Sequence, residues 1–533
     1  MKKIISVLLA VILVVACIPF AVSAEKELKS TYPTIYFRGN SESIFDEDGN
    51  QVYDFDFDKS LVPDMVKKIV PLLALGYATN DFEEYYKVFG EEIAKLYDRC
   101  ALDENGDPKY GTGIHPNEVK NNYNRSHTNA GTADGFAFDF YLFANDWRLD
   151  PLATADDIDA YIDNVLKVTG KDKVNLMCKC LGGDLILAYL AKFGTEKINA
   201  VGFGSTVAFG GSWCNDLFSG KVLITPETIE RFFADDFISE NVPETMVVAL
   251  QIINDSISLA RATGVLGFVT DTLMEKLYKR LYKGLVPELV LASYGTWPGY
   301  WTMVAADNYA CARNMVFGSE GSEKYEKYKG LIEKLDNYDK QVRQRIPELL
   351  KKAEADGVRI AIVSKYGFQL PPVLESADEQ SDIWTSVKYS SLGATVSKVG
   401  KTLSNSYINE RIEKGFEKYI SPDRQVDAST CVFPDNTWFI KNAMHNDWTR
   451  EEDRILVSVF NTEGANVESF ERFPQFTVYD RETDTVTPMT EENSKTESYD
   501  VNPMPKSKFD TLFVFFKWLA TVLQMLAGRI FGK

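Results

Sequence analysis

Histidine is almost absent from this 533-residue chain: His115, His127 and His445 are the only three. No two of them lie within one helical turn of each other, and no run of His, Cys, Asp and Glu has the spacing of a metal site. Neither a metal nor a cofactor is therefore expected. Cysteine is sparse too. Cys100, Cys178, Cys180, Cys214, Cys311 and Cys431 are scattered too widely for a disulfide framework, although one or two bridges stay open. Basic residues are outnumbered, with 58 Lys and Arg against 77 Asp and Glu and a net charge of −19. Such a surface cannot neutralise a phosphate backbone, which argues against nucleic acid as a general partner. Apolar material is plentiful: 45% of residues are hydrophobic and 13% aromatic, enough for one large core or a core with a sizeable cap.

Lys2 and Lys3, the apolar run from Ile4 to Phe20, and small residues ending at Ala24 have the form of an export signal over residues 1–24. A secreted or extracellular protein is expected, becoming more acidic once those lysines leave. Val14-Val15-Ala16-Cys17 offers a rival reading as a lipobox, which would anchor the chain through Cys17.

Thr34-Ile35-Tyr36-Phe37 predicts a buried strand running into a turn at Arg38-Gly39-Asn40. A helical stretch follows over 61–97, then a polar loop over 103–135, a strand over 136–143 and a helix over 153–168. Lys173 to Asp184 reads as strand, tight turn and helix start, and Ile198 to Phe203 as the next strand. This alternation predicts an α/β fold with a mostly parallel sheet. It lapses over 205–356, where aromatic-rich helical patterns suggest an inserted cap. Strand patterns return at 358–364 and 427–432, with β-like runs near 455–460 and 476–479. The expected organisation is a first core segment over 25–204, a helical cap over 205–356, and a second core segment with a terminal β part over 357–485. A linker over 486–508 and a terminal helix over 509–533 complete it.

The turn after Lys173 carries the chemistry. In α/β-hydrolases, G-x-S-x-G sets a nucleophile on a sharp strand-to-helix turn, and the N–H of the next residue helps form an oxyanion hole. Cys178-Lys179-Cys180-Leu181-Gly182 fits that frame, with Cys180 at the nucleophile position and Leu181 supplying one N–H. The order nucleophile, acid, histidine leaves one base, because only His445 follows Cys180. Asp378 and Asp382 lie in the stretch expected to hold the acid, and Asp382 is preferred. The turn after the first strand makes the Asn40 N–H the second oxyanion donor. Taken blandly, the same stretch is a buried strand and turn whose two cysteines are small core residues.

Asn145-Asp146-Trp147-Arg148-Leu149, the elbow, Trp297-Pro298-Gly299-Tyr300-Trp301, Ser381-Asp382 and Ser390-Ser391-Leu392-Gly393 together resemble the lecithin:cholesterol acyltransferase and related lipase family over residues 32–450. The resemblance implies an α/β-hydrolase fold and a lipid-ester triad mapping onto Cys180, Asp382 and His445. Four positions depart from it: Cys180 replaces serine, Cys178 replaces glycine, Lys179 stands where histidine is frequent, and Ile383 where glycine is common. An elbow cysteine is similar to that of polyhydroxyalkanoate synthases and dienelactone hydrolases.

The reading that follows is a secreted acyl hydrolase or acyltransferase acting on a lipid-like ester or thioester. A catalytically inactive relative serving as a surface or binding protein is the alternative, and a redox dithiol at Cys178 and Cys180 is a third. In the terminal segment, Lys517, Thr521, Gln524 and Gly528 form one polar stripe on an otherwise apolar helix. Basic flanks there favour a membrane surface as a partner for residues 509–533.

Overall fold

The computed structural model describes residues 31–40, 42–53, 62–124, 139–223, 228, 231–232, 283–447 and 450–495. The expected export signal, most of 224–282, the linker beyond 495 and the terminal helix lie outside the described residues.

The architecture is α/β, built on one nine-stranded sheet. In chain order its strands are β1 Thr34–Phe37, β2 Asn121–Asn124, β3 Asp139–Phe143, β4 Val174–Cys180, β5 Ile198–Thr206, β6 Arg359–Tyr366, β7 Thr437–Lys441, β8 Phe476–Asp480 and β9 Thr485–Pro488. They lie side by side in the order β9-β8-β7-β6-β5-β4-β1-β3-β2. The inner strands from β8 to β3 pair in parallel, while β9 and β2 close the two edges antiparallel. The central strands read as near-continuous apolar runs because both faces are covered. Ile35, Phe37, Leu176 and Cys178 face a layer that includes α3 (Pro151–Thr169), α4 (Gly183–Phe193) and α8 (Ile346–Ala355). Tyr36, Met177, Ala200 and Val363 face α10 (Arg450–Asn461) on the other side.

The chain leaves β1 for β3 on one flank and returns to β4 on the other. The carboxyl ends of β1 and β4 therefore flank a topological switch point, where open parallel sheets leave a crevice for ligands. Phe37 pairs with Cys178 there, so Arg38-Gly39-Asn40 and the turn at Cys180 emerge beside each other.

Local chemistry explains the helix bounds. The Asp150 carboxylate accepts the Leu152 N–H at 3.0 Å, Pro151 occupies the first turn, and Gly170 ends α3 at φ +66°. The helix expected over 61–97 is two, α1 (Val62–Thr79) and α2 (Glu83–Tyr97), separated at Asn80 with φ +59°. Between β5 and β6 the described residues form α5 (Ser212–Phe218), a helix over 283–293, one turn at Pro298–Trp301, α6 (Tyr309–Phe317), α7 (Lys329–Gln341) and α8. A further helix, α9 (Asn405–Glu413), precedes β7.

Three expectations need correction. The strand expected over 427–432 is two residues, Val426–Asp427, in a separate small pairing, and the strand of the central sheet is β7 further on. The β-like run near 455–460 is the helix α10: Glu451, Glu452 and Asp453 occupy its first turn, and Ile455, Leu456, Val457 and Val459 are buried against the sheet. An apolar β-branched run cannot by itself separate a buried strand from a buried helix. Residues 485–488, at the start of the expected linker, instead form β9, with Val486 buried and the strand paired with β8.

No helix among the described residues is long and apolar enough to cross a membrane.

Candidate active site

Cys180 ends β4 in the left-handed region, with φ +54°. A residue with a Cβ pays for that conformation, and such positions occur where a turn re-aims a side chain. Two glycines make the turn sterically feasible. A Cβ on Gly182 would lie 2.5 Å from Phe37 O and 2.6 Å from Arg38 O, and one on Gly183 would lie 2.3 Å from Thr206 Oγ1. The Thr206 hydroxyl donates to Cys180 O at 2.9 Å, and the Val207 N–H donates to the same oxygen at 3.2 Å. The main chain on both sides of the thiol is thereby fixed.

Gly39 brings the loop after β1 against this turn. A Cβ there would lie 2.7 Å from Cys180 Cβ and 3.0 Å from its Sγ. Asn40 follows, and its side-chain amide donates to Tyr300 Oη at 2.9 Å. Among the described residues no hydrogen bond takes up the Leu181 or Asn40 N–H. Both N–H groups are therefore unengaged by any described residue.

Asp382 and His445 meet although 63 residues separate them. His445 Nδ1 lies 2.7 Å from Asp382 Oδ2. The Trp384 and Thr385 N–H groups donate to Asp382 Oδ1 at 3.1 and 2.9 Å, and the His445 N–H donates to Asp382 O at 2.9 Å. The carboxylate is fully buried and the imidazole nearly so. Burial opposes the charged ring, but the Asp382 carboxylate and then Cys180 outweigh it, lifting the imidazole to about 9. The second nitrogen, Nε2, makes no well-formed hydrogen bond among the described residues. Cys180 nonetheless stands close enough to act on the ring through charge and hydrogen bonding. Asp378, the other candidate acid, instead lies half-exposed, 3.5 Å from Lys398.

The remaining motif residues build the surroundings. Arg148, wholly buried, spans the Asp146 carboxylate with Nε–Oδ1 2.9 Å and Nη2–Oδ2 2.6 Å, and donates to Cys100 O and to Thr112. Trp147 packs on Trp297 and Tyr300 at 5.3 and 5.7 Å between ring centroids, and Gly299 accepts the close approach of Trp147 O. These two segments thus meet beneath Asn40. Sequence reasoning missed Trp213 and Trp384, which form a separate row of rings with His445 at spacings of 5.9 and 6.1 Å. No single-sequence pattern distinguishes them from other aromatic residues of the core.

Cys178 and Cys180 face different layers. Cys178 packs between the sheet and α3 and α4, whereas Cys180 borders the cluster of Leu181, Val207, Trp213 and Met303. Both are free thiols, and burial pushes the Cys178 thiol well up. Among the described residues no group of His, Cys, Asp and Glu could hold a metal ion.

No family model matches this chain, and no curated protein matches it. Among solved structures it is similar to a chain described as "The crystal structure of Tle4-Tli4 complex", at 12% identity over 63% of this chain and 75% of that one, with a TM-score of 0.26. That likeness is too distant to bear on the chemistry of this chain.

Proposed function

We propose that this protein is an acyl hydrolase or acyltransferase of the α/β-hydrolase type, with Cys180 as nucleophile, His445 as base and Asp382 as its orienting acid. The observation that carries the reading is the buried 2.7 Å contact of His445 Nδ1 with Asp382 in a ring that also senses Cys180. In the reaction, Cys180 Sγ adds as the thiolate to an acyl carbonyl carbon, its proton held on His445 Nε2. The carbonyl oxygen, now an anion, accepts hydrogen bonds from the Leu181 and Asn40 N–H groups. Collapse expels the alcohol or thiol leaving group, which takes the proton back from His445. The resulting thioester is then attacked by water, an alcohol, an amine or another thiol.

The apolar border of Cys180, with Trp213, Met303 and the partly buried Trp384, suits a lipid-like acyl group. The helices between β5 and β6 would form the cap over that group. Export through residues 1–24 and attachment to a membrane surface through 509–533 belong to the same proposal. Deleting 506–533 should release the protein from anionic liposomes.

The test is turnover across acyl esters and thioesters of graded chain length. Activity abolished in Cys180→Ala and reduced at least about a hundredfold in His445→Ala supports the reading. Absence of turnover on every substrate, with tight binding of an acyl lipid retained, would favour the non-catalytic binding protein.

A further inference from the structure

Beneath the His445 loop, on the α10 side of the sheet, lies a group of buried charges that the proposed chemistry does not use. Lys179, at the position before the nucleophile, and Lys365, on β6, are at most 1% exposed, as is Glu452 on α10. Lys365 Nζ lies 2.7 Å from Glu452 Oε2, and Lys179 Nζ lies 3.8 Å from the same oxygen. The Ser205 hydroxyl donates to Glu452 Oε1 at 3.2 Å. The strand between the lysines makes room for the carboxylate by having no side chain at Gly204, where a Cβ would lie 2.4 Å from Glu452 Oε1.

One lysine would neutralise Glu452. The second shares the same carboxylate oxygen, and buried charges of this kind cost several kcal/mol unless hydrogen-bond partners answer them. Both ammoniums answer to one peptide oxygen: Lys365 Nζ donates to Asp447 O at 2.7 Å and Lys179 Nζ at 3.3 Å. Asp447 closes the turn that contains His445. Its N–H donates to Met444 O at 3.1 Å, and its carboxylate accepts the Met444 N–H at 2.7 Å and pairs with Arg481 at 2.8 Å.

We infer that Lys179 and Lys365 are positioning residues for His445. Clamped by Glu452, they grip Asp447 O from below the sheet, while Asp382 grips the imidazole and its N–H from the side. The elbow lysine thereby ties the nucleophile strand to the loop of the base. This inference rests on the reading of His445 as that base.

Its test reads geometry without substrate. With only three histidines in the chain, the downfield proton of His445 Nδ1–H bonded to Asp382 can be assigned in an isotope-labelled sample by its loss in His445→Gln. In folded Lys365→Met and Lys179→Met proteins that proton should be lost or broadened, and any acyl turnover should fall at least about tenfold with KM within about twofold. If Lys365→Met fails to fold, Lys179→Met decides, because it leaves a neutral Lys365 and Glu452 pair. A folded variant that keeps the wild-type proton signal overturns the role for its lysine. If the wild-type protein turns over no acyl substrate, the acyl reading fails, while the wild-type proton signal and its loss in the lysine variants still decide the positioning role.

Discussion

Asp382 holds His445 twice, once through its carboxylate at Nδ1 and once through its carbonyl oxygen at the main-chain N–H. The side chain and the backbone of His445 are set by one residue. Asp382→Asn should therefore lower the imidazole from about 9, since burial then opposes the charged ring with Cys180 alone left to favour it. A titration of the ring followed by NMR checks this.

The same shift makes a statement about stability. A histidine whose pKa is raised on folding stabilises the protein fully below its unfolded value, and that contribution is lost as pH rises through the folded value. For His445 the window runs from 6.5 to about 9. Wild-type stability should fall across it by about 3 kcal/mol from this group, and Asp382→Asn should flatten the fall, as denaturant melts at a series of pH values would record.

Gly182→Ala should be costly. The new Cβ meets two carbonyl oxygens of the main chain, which cannot swing aside as a flexible side chain can. We expect a loss of about 2–3 kcal/mol and displacement of Cys180. Gly113→Ala, where a Cβ meets nothing within 4 Å, should stay within about 0.5 kcal/mol, as denaturant melts of the two variants would show.

Arg148→Met separates fold from chemistry. It strands a buried carboxylate at Asp146 and removes the donors to Cys100 O and Thr112, which should cost about 3–5 kcal/mol. Alkylation of Cys180 per folded molecule should be nearly unchanged, because Arg148 touches neither Cys180 nor His445.

Much of this site was legible in the chain. The strand-turn-helix at Lys173 to Asp184 was readable because the apolar run, the two glycines and the apolar helix are contiguous. His445 followed from scarcity, since no other histidine comes after Cys180. The strand that delivers His445 was misplaced by one segment: the run Thr437 to Lys441, buried and paired with β6, forms it in place of Asp427 to Val432. Glu452 was hidden for a related reason. The second half of its helix is rich in β-branched and apolar residues, and its proximity to Lys179 and Lys365 comes from packing of α10 across β5, which no local pattern encodes.

The most direct measurement is the intact mass of the protein after brief exposure to an activated acyl thioester, in a Cys311→Ser background because Cys311 is an exposed free thiol. The account predicts one acyl group per chain, mapped to Cys180, absent in Cys180→Ala and formed at least about a hundredfold more slowly in His445→Ala. Acylation that persists in Cys180→Ala, or that proceeds at the wild-type rate without His445, would contradict it.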